Sequence, residues 1–189
     1  MTNTTPLTVA LLDCGNLGTA LAEGILNPIN GDDAVNVNRL TATVSSEASQ
    51  RRVQDALSEH SSRLTVLLAQ ENVRAVQEAD VVLLAFKPVK REEIFGALGF
   101  KEVLRGKLVI SIMAGISIKE LNRLAVEGKD ALKGPSPLQA VRAMPNMAAN
   151  IREAVTLYTA DLEILSNRNV EIASWVFNQV GEAQLISEK

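Results

Sequence analysis

The stretch that decides the fold is LTVALLDCGNLG, residues 7–18. Its first half, Leu7–Leu12, is a continuous apolar run between polar residues, which is typical of a strand buried on both faces. Its second half is a glycine-containing turn, and after it apolar residues recur at helical spacing as far as Ile25. A buried strand, a tight turn and an amphipathic helix are the beginning of a βαβ unit.

The same alternation continues outward from this stretch. The predicted strands cover residues 40–44, 63–68, 80–86, 108–113, 141–144, 154–158 and 183–186, and the predicted helices cover residues 47–57, 72–78, 92–98, 117–124 and 161–178. Residues 27–38 and 128–138 are rich in turn formers and predict loops. Strands that alternate with helices predict right-handed crossovers. We therefore expect an α/β fold with a doubly wound, mainly parallel, Rossmann-like sheet. We expect this fold to form one domain over residues 1–189, with a short flexible N-terminus at 1–6 and no second domain.

Composition narrows the classes of function. The chain has a formal net charge of −3 and 3% aromatic residues, which argues against a nucleic-acid surface because that needs clustered Lys and Arg. One cysteine and one histidine leave no internal disulfide and no soft metal-ligand cluster, so we expect no metal site. The apolar runs are far shorter than the ~20 residues that span a bilayer, and the polar N-terminus lacks the basic start of a targeting peptide. The sequence predicts a cytoplasmic protein with no membrane or nucleic-acid partner.

The turn after the first strand resembles part of the dinucleotide-binding motif G-x-G-x-x-G. Gly15 and Gly18 match its second and third glycines, which admit a pyrophosphate and let the helix pack closely on the sheet. Asp13 occupies the position of the first glycine. A carboxylate about 4 Å from a phosphate charge costs roughly 1 kcal/mol in water and about 4 kcal/mol at an effective dielectric of about 20. The motif alone is equally compatible with a strand–helix turn that binds no ligand.

The end of the second strand normally distinguishes the two nicotinamide cofactors, because an acid there binds the ribose 2′-hydroxyl and repels a 2′-phosphate. Here the strand is followed by Ser45 and Ser46, and the first acid is Glu47. Arg51 and Arg52 follow on the helix. Hydroxyls near guanidinium groups suit a phosphate, which favours NADPH over NADH. The alternative is that Ser46 caps the helix and both arginines are solvated.

Several segments together resemble the pyrroline-5-carboxylate reductase family, whose enzymes catalyse the last step of proline synthesis. The similarity runs in register over nearly the whole chain, through GNLG at 15–18, LAFKP at 84–88, SIMAGISI at 111–118, VRAMPN at 141–146, REAVTLY at 152–158 and a hinge-like segment at 180–189. Two positions depart from the family pattern G-x-G-N-M-G, since Asp13 replaces its first glycine and Leu17 its methionine. One such motif would be weak evidence for the family. The five motifs that precede the hinge-like segment occur in the family's order, and together they are specific.

The resemblance implies a nicotinamide cofactor in the crevice beyond the strand ends. Together with the strand-end residues, it assigns the cofactor site to Gly15, Asn16, Leu17, Gly18, Ser45, Ser46, Arg51, Lys87, Pro88, Ala114, Gly115, Met144, Pro145 and Asn146. Asn146 is also the candidate catalytic residue, because its amide could position the nicotinamide carboxamide or the substrate. Simpler interpretations stay open for Lys87, as a solvated lysine at a strand end, and for Pro145, as a rigid turn.

The activity implied by the resemblance is hydride transfer from NADPH to the C=N carbon of a small cyclic imine carboxylate, by an oxidoreductase that acts on CH–NH bonds. In the family a helical second domain follows, forms the dimer and completes the substrate pocket. Nothing in the 189 residues resembles that domain, so we expect weak or no activity from the chain alone, and the sequence leaves its oligomeric state open. Two alternatives remain. One is a catalytically inactive or regulatory relative that kept the fold as a binding module, and the other is a reductase of the wider hydroxyacid or imine group.

Overall fold

The computed structural model describes residues 5–29, 35–125 and 137–187, and it confirms the doubly wound α/β architecture. Eight strands of these residues form one sheet: β1 Leu7–Leu12, β2 Val37–Val44, β3 Leu64–Leu68, β4 Val81–Leu84, β5 Leu108–Ser111, β6 Gln139–Met144, β7 Ala154–Ala160 and β8 Gly181–Leu185. Their order across the sheet is β3-β2-β1-β4-β5-β6-β7-β8. The first six strands in this order are parallel, β7 is antiparallel to β6, and β8 is parallel to β7.

Seven α-helices of the described residues cover the two faces of the sheet: α1 Asn16–Leu26, α2 Glu47–Ala56, α3 Asn72–Gln77, α4 Arg91–Phe95, α5 Phe100–Leu104, α6 Ile118–Ala125 and α7 Asn167–Asn178. Short 3₁₀ turns lie at Ser58–His60, Ala69–Glu71, Pro88–Lys90 and Met147–Ile151. None of these helices is long and apolar enough to cross a membrane.

The central strands bury both of their faces, because alternate residues of a strand point to opposite sides of the sheet. In β1, Val9 and Leu11 join one apolar cluster, and Ala10 and Leu12 join a second cluster on the other side. Helices α1, α2 and α7 contribute to the first cluster, and α3 to α6 contribute to the second. This two-sided burial is the physical reason why the strand sequences are continuous apolar runs.

The predicted helix over 161–178 is wrong in its first six residues. The helix α7 begins at Asn167, where Ser166 Oγ caps it by accepting a hydrogen bond from the Asn169 amide at 3.2 Å. Upstream, the Asp161 carboxylate accepts from the Glu163 amide at 3.1 Å. Asp and Ser side chains offer the backbone such local partners, and these bonds compete with helical ones even where the apolar spacing continues.

Other boundaries also differ from the predictions, and one helix was not predicted. Strand β2 begins at Val37, three residues before the predicted start at Leu40, and β4 ends at Leu84 rather than at Phe86. Helix α5 was not predicted, because its five residues are too few to show a period. It is held by tertiary packing, with the ring of Phe100 edge-on to that of Phe95 at a centroid distance of 5.4 Å. The loop predicted over 128–138 lies almost wholly outside the described residues.

Candidate functional site

The predicted site residues lie at the carboxyl ends of five neighbouring parallel strands. Along the sheet these strands are β2, β1, β4, β5 and β6, and parallel neighbours end at the same edge of the sheet. Residues 45–46 follow β2, 15–18 follow β1, 87–88 follow β4, 114–115 follow β5, and 144–146 complete and follow β6. The topology therefore places these segments, which are far apart in sequence, in one row at one edge, where doubly wound sheets bind ligands.

The glycines of the turn after β1 have two different surroundings. Gly15 is exposed at the start of α1, and a Cβ atom added to it would meet nothing within 4 Å. Gly18 is buried, and its added Cβ would lie 3.1 Å from Leu11 Cδ2. The first amides of a helix have no intrahelical acceptor and carry the positive end of its dipole, so this turn can bind an anion. Gly15 leaves the space for that anion, and Gly18 lets α1 approach the sheet.

Asp13, in the position of the missing glycine, adopts a left-handed conformation with φ of 63°. This conformation costs most residues about 1–2 kcal/mol, but Asp and Asn tolerate it better than others. The Asp13 amide donates to Thr43 Oγ1 at 3.3 Å, and its carboxylate oxygen Oδ2 lies 3.1 Å from Lys90 Nζ. The carboxylate that raised doubt about phosphate binding is therefore paired with a cation from the turn after β4.

Arg52 holds the same turn from the side of α2. Its Nη2 donates to the carbonyl oxygen of Cys14 at 2.9 Å, and its Nη1 donates to Thr19 Oγ1 at 3.2 Å. The alternative that Arg52 is merely solvated is therefore wrong. Sequence spacing gave no sign of this role, because the contact joins the first turn and the second helix only after β1 and β2 have paired.

Of the predicted site residues after β2, one caps the following helix and two are exposed to solvent. Ser46 caps α2, since its Oγ accepts from the Ser49 amide at 3.2 Å, as the capping alternative predicted. Ser45 and Arg51 are exposed on this side of the sheet. No carboxylate lies between the end of β2 at Val44 and Glu47, so this end of the row has hydroxyl and guanidinium donors where an acid would repel a 2′-phosphate.

A cavity of about 390 Å³ lies beside the turn, and its lining includes Asp13, Thr43, Ser45, Asn72 and Lys90. Asn72 was missed in the sequence. The residue is the first of α3 and is 9% exposed. Its Oδ1 is buried and has no hydrogen-bond partner among the described residues. A buried acceptor left without a partner costs about 1–3 kcal/mol, so Asn72 is a candidate acceptor for a hydrogen bond from a ligand in this cavity.

The turns after β4 and β5 form the next part of the row. Lys87, Ala114 and Gly115 are exposed, and Pro88 is half-buried. Gly115 has φ of 75°, and a Cβ added to it would meet nothing within 4 Å, so this turn leaves open space. The helices that follow the two turns are joined by an ion pair, with Arg123 Nη2 3.1 Å from Glu92 Oε1.

The far end of the row consists of Met144, Pro145 and Asn146. Met144 is a large apolar residue that is 47% exposed at the end of β6. Asn146 is exposed, and its Oδ1 accepts a hydrogen bond from the Ala148 amide at 3.2 Å. This bond orients the side-chain amide and uses only its oxygen, so the NH₂ group keeps two donors for a ligand.

Cys14 is buried against the turn and belongs to no cluster of metal ligands in the described part of the chain. Burial raises the pKa of its thiol from 9.0 to about 11, and a contact with Thr19 opposes this only in part. The thiolate, which is the nucleophile, is therefore scarce at neutral pH. The residue is a small apolar side chain under the turn.

The raised pKa of Cys14 predicts a loss of stability in alkali. The unfolded thiol ionises at a lower pH than the folded one, so its contribution is complete below pH 9 and is lost as the pH rises to about 11. We expect the free energy of unfolding of the native chain to fall by about 2 kcal/mol more than that of Cys14→Ala over this interval. Urea unfolding of both proteins at several pH values measures the difference, and parallel curves would contradict it.

Comparisons with known proteins agree with this arrangement. Residues 8–115 match the family model described as NADP oxidoreductase coenzyme F420-dependent. The chain is 32% identical to the pyrroline-5-carboxylate reductases of Lophium arboricola and Neurospora crassa. Each match covers 93% of this chain, and the two cover 59% and 60% of the respective relatives. The chain thus spans about three fifths of the length of these curated relatives.

Solved structures share the fold. A pyrroline-5-carboxylate reductase from Coxiella burnetii superposes with a TM-score of 0.75 at 23% identity, over 98% of this chain and 60% of that one. The pyrroline carboxylate reductase of Plasmodium falciparum, solved with NADP bound, gives a TM-score of 0.70 at 20% identity, over 95% of this chain and 57% of that one. The described elements therefore have the arrangement found in these reductases.

Proposed function

Because the chain belongs to the NADP oxidoreductase coenzyme F420-dependent family, as a relative of the pyrroline-5-carboxylate reductases, we propose that it binds NADPH for the reduction of a cyclic imine of the pyrroline-5-carboxylate type to the corresponding proline. The observation that carries the proposal is the row of strand-end residues at one edge of the sheet. The open turn at Gly15 lies at one part of this row, and Asn146 lies at the other end.

The residues present suit a dinucleotide phosphate. The proposed pyrophosphate position is the start of α1, where Gly15 leaves space and the first helical amides supply donors. The proposed 2′-phosphate partners are Ser45 and Arg51, with a smaller role for Ser46 because it caps α2. A relative from Plasmodium falciparum has been solved with NADP bound. NADPH is therefore favoured over NADH for this chain as well.

The nicotinamide end is proposed to lie between the turns after β4, β5 and β6. The chemistry that NADPH would supply if bound there is a hydride for the imine carbon. Lys87 and Pro88 on one side and Ala114 and Gly115 on the other would hold the flat ring, and Met144 would keep water from it. Asn146 would position the carboxamide or the imine with its NH₂ group. Holding reactants in one orientation can account for roughly 7–11 kcal/mol of a barrier.

Residues 1–189 are proposed to form one cofactor-binding domain of a cytoplasmic enzyme. Because they match about three fifths of the length of the relatives, we expect these residues alone to bind NADPH but to turn over the imine weakly. The inactive or regulatory alternative rested partly on the charge of Asp13, and the ion pair with Lys90 weakens that reason.

Calorimetric titration with NADPH and NADH tests the proposal directly. We expect saturable NADPH binding in the micromolar range and weaker binding of NADH. No heat and no saturation with NADPH would overturn the proposal. A spectrophotometric assay with pyrroline-5-carboxylate then tests the catalytic part, and a panel of other cyclic imines and hydroxyacids identifies a different substrate class if that imine is not reduced.

Asn72 provides a prediction in which stability and binding change in opposite directions. In Asn72→Leu the buried acceptor without a partner is removed, so the free energy of unfolding should stay equal or rise by about 1 kcal/mol. NADPH binding should weaken roughly fivefold to tenfold, which corresponds to one lost hydrogen bond. Urea unfolding and calorimetry measure the two effects.

Gln184→Leu, at an exposed position on the distant strand β8, serves as the control for the Asn72 experiment. It removes a similar amide and should leave NADPH affinity unchanged. Native affinity in Asn72→Leu would show that the cofactor does not use this side chain.

A further inference from the structure

The pair formed by Asp13 and Lys90 is the feature of the site that the family motifs do not account for. Asp13 Oδ2 and Lys90 Nζ are 3.1 Å apart, and the side chains are 27% and 37% exposed. One residue comes from the turn after β1 and the other from the 3₁₀ turn after β4. The pair therefore joins two adjacent strand-end turns across the edge of the sheet.

Both partners line the cavity of about 390 Å³. Asn72 lines it too, and its Oδ1 is buried without a hydrogen-bond partner among the described residues. Asn72 is a further polar residue of this cavity and takes no part in the ion pair. The open space at Gly15, at the start of α1, lies two residues along the chain from Asp13. A dinucleotide that used both features would have its phosphates close to the Asp13 carboxylate.

An uncompensated carboxylate at this position would oppose phosphate binding. Two like charges about 4 Å apart repel strongly enough, in partly buried surroundings, to weaken binding by a factor of ten or more. The other charged groups here are Glu93, which also lines the cavity, and Arg52, which is bound to the turn through Cys14 and Thr19. Lys90 is the cation in direct contact with the carboxylate.

We propose that Lys90 is a positioning residue for cofactor binding, because its ammonium group neutralises Asp13 and so lets this turn accept a dinucleotide phosphate without the first glycine of the motif. The role of Lys90 rests on the proposed NADPH binding. Lys90 acts through Asp13. Asp13 stands where the motif has its first glycine, and the positive charge of Lys90 offsets the negative charge of Asp13.

A double-mutant cycle read by NADPH calorimetry tests this role. Lys90→Met leaves the carboxylate uncompensated and should weaken binding about tenfold. Asp13→Asn removes the charge and leaves the Lys90 ammonium unpaired, and Asn tolerates the left-handed conformation, so its affinity should equal or exceed that of the native chain. The double variant carries neither charge and should bind within about twofold of native.

Each deviation from this pattern has a definite meaning. A double variant that binds as weakly as Lys90→Met, or more weakly, would overturn the proposal and show that Lys90 contacts the cofactor directly. Unchanged NADPH affinity in Lys90→Met would also overturn the proposal. Tighter NADPH binding in this variant would overturn it as well, because it would show that the ion pair closes the cavity.

Two controls separate these outcomes from other causes. Lys101→Met, on α5, removes a lysine outside the site and should bind NADPH as the native chain does. Thermal unfolding of every variant checks that the fold is intact, and the partly exposed pair should contribute less than about 1 kcal/mol to it. If the native chain binds no NADPH, the proposed function fails, and the role of Lys90 fails with it. If the native chain binds NADPH and all the variants of the cycle bind it equally well, only the role of Lys90 is overturned.

Discussion

Gly181→Ala is expected to lower the free energy of unfolding by roughly 3–5 kcal/mol, which is large for a single methyl group. Gly181 begins β8 with φ of 149°, a conformation that residues with a Cβ rarely adopt. An added Cβ would lie 2.0 Å from the carbonyl oxygen of Ala154 and 2.4 Å from its amide nitrogen. These are backbone atoms of β7, so the clash cannot be relieved by a side-chain rotation.

Gly106→Ala is the matched control for this prediction. Gly106 also has a positive φ, of 74°, but its added Cβ would meet nothing within 4 Å. Only the conformational cost of about 1–2 kcal/mol should appear. Urea unfolding of both variants separates the clash from the backbone preference. Equal destabilisation would show that β7 and β8 can move apart at little cost.

The effect of Gly181→Ala should also reach the proposed cofactor site. Strand β7 pairs with β6, and Leu157 lies opposite Met144 at the end of the site row. If the pairing of β7 with β8 is disturbed, the neighbouring strand loses part of its support. We therefore expect weaker NADPH binding in Gly181→Ala than in Gly106→Ala under conditions where both are folded.

Gly15→Leu is expected to weaken NADPH binding at least a hundredfold while leaving the chain folded. The position is exposed, its φ of −78° suits any residue, and an added Cβ would meet no protein atom within 4 Å. The new side chain would therefore occupy the space proposed for the pyrophosphate. Loss of the glycine at the helix cap should cost no more than about 1 kcal/mol. Calorimetry and thermal unfolding measure the two effects.

Gly15→Ala provides a graded control. A single methyl group fills less of the space, so we expect a loss of affinity of about tenfold, between native and Gly15→Leu. Gly18→Leu should behave differently, because its Cβ would lie 3.1 Å from Leu11 Cδ2 in the core. There the fold itself should be destabilised. Native NADPH affinity in Gly15→Leu would contradict the proposed phosphate position.

The parts of the fold that can be predicted from the sequence are those with a local signal. Strand β1 is a continuous apolar run because both of its faces are buried, and the site row follows from the rule that parallel strands end at one edge. Helix α5 gives no such signal, since five residues cannot show a period. The start of α7 was misplaced because the Ser166 cap competes with an apolar spacing that continues upstream.

The candidate site shows the same division. Gly15 and Gly18 are recognisable by their spacing, and the exposed position of one and the close packing of the other agree with that interpretation. The cap formed by Ser46 was one of the alternatives that the sequence left open. Asn72 could not be found in this way, because an asparagine at the start of a short helix is ordinary until the cavity around it is known.

By itself the sequence determined the class of fold, the row of strand ends and the family, because burial on two faces and glycine spacing leave local patterns. Only the tertiary structure decided the consequence of Asp13. Its charge was visible in the sequence as an obstacle, but its partner Lys90 lies 77 positions away and meets it after β1 and β4 have paired. Arg52 reaches the same turn through the pairing of β1 with β2. Electrostatic compensation depends on distance in space, and strand pairing sets that distance.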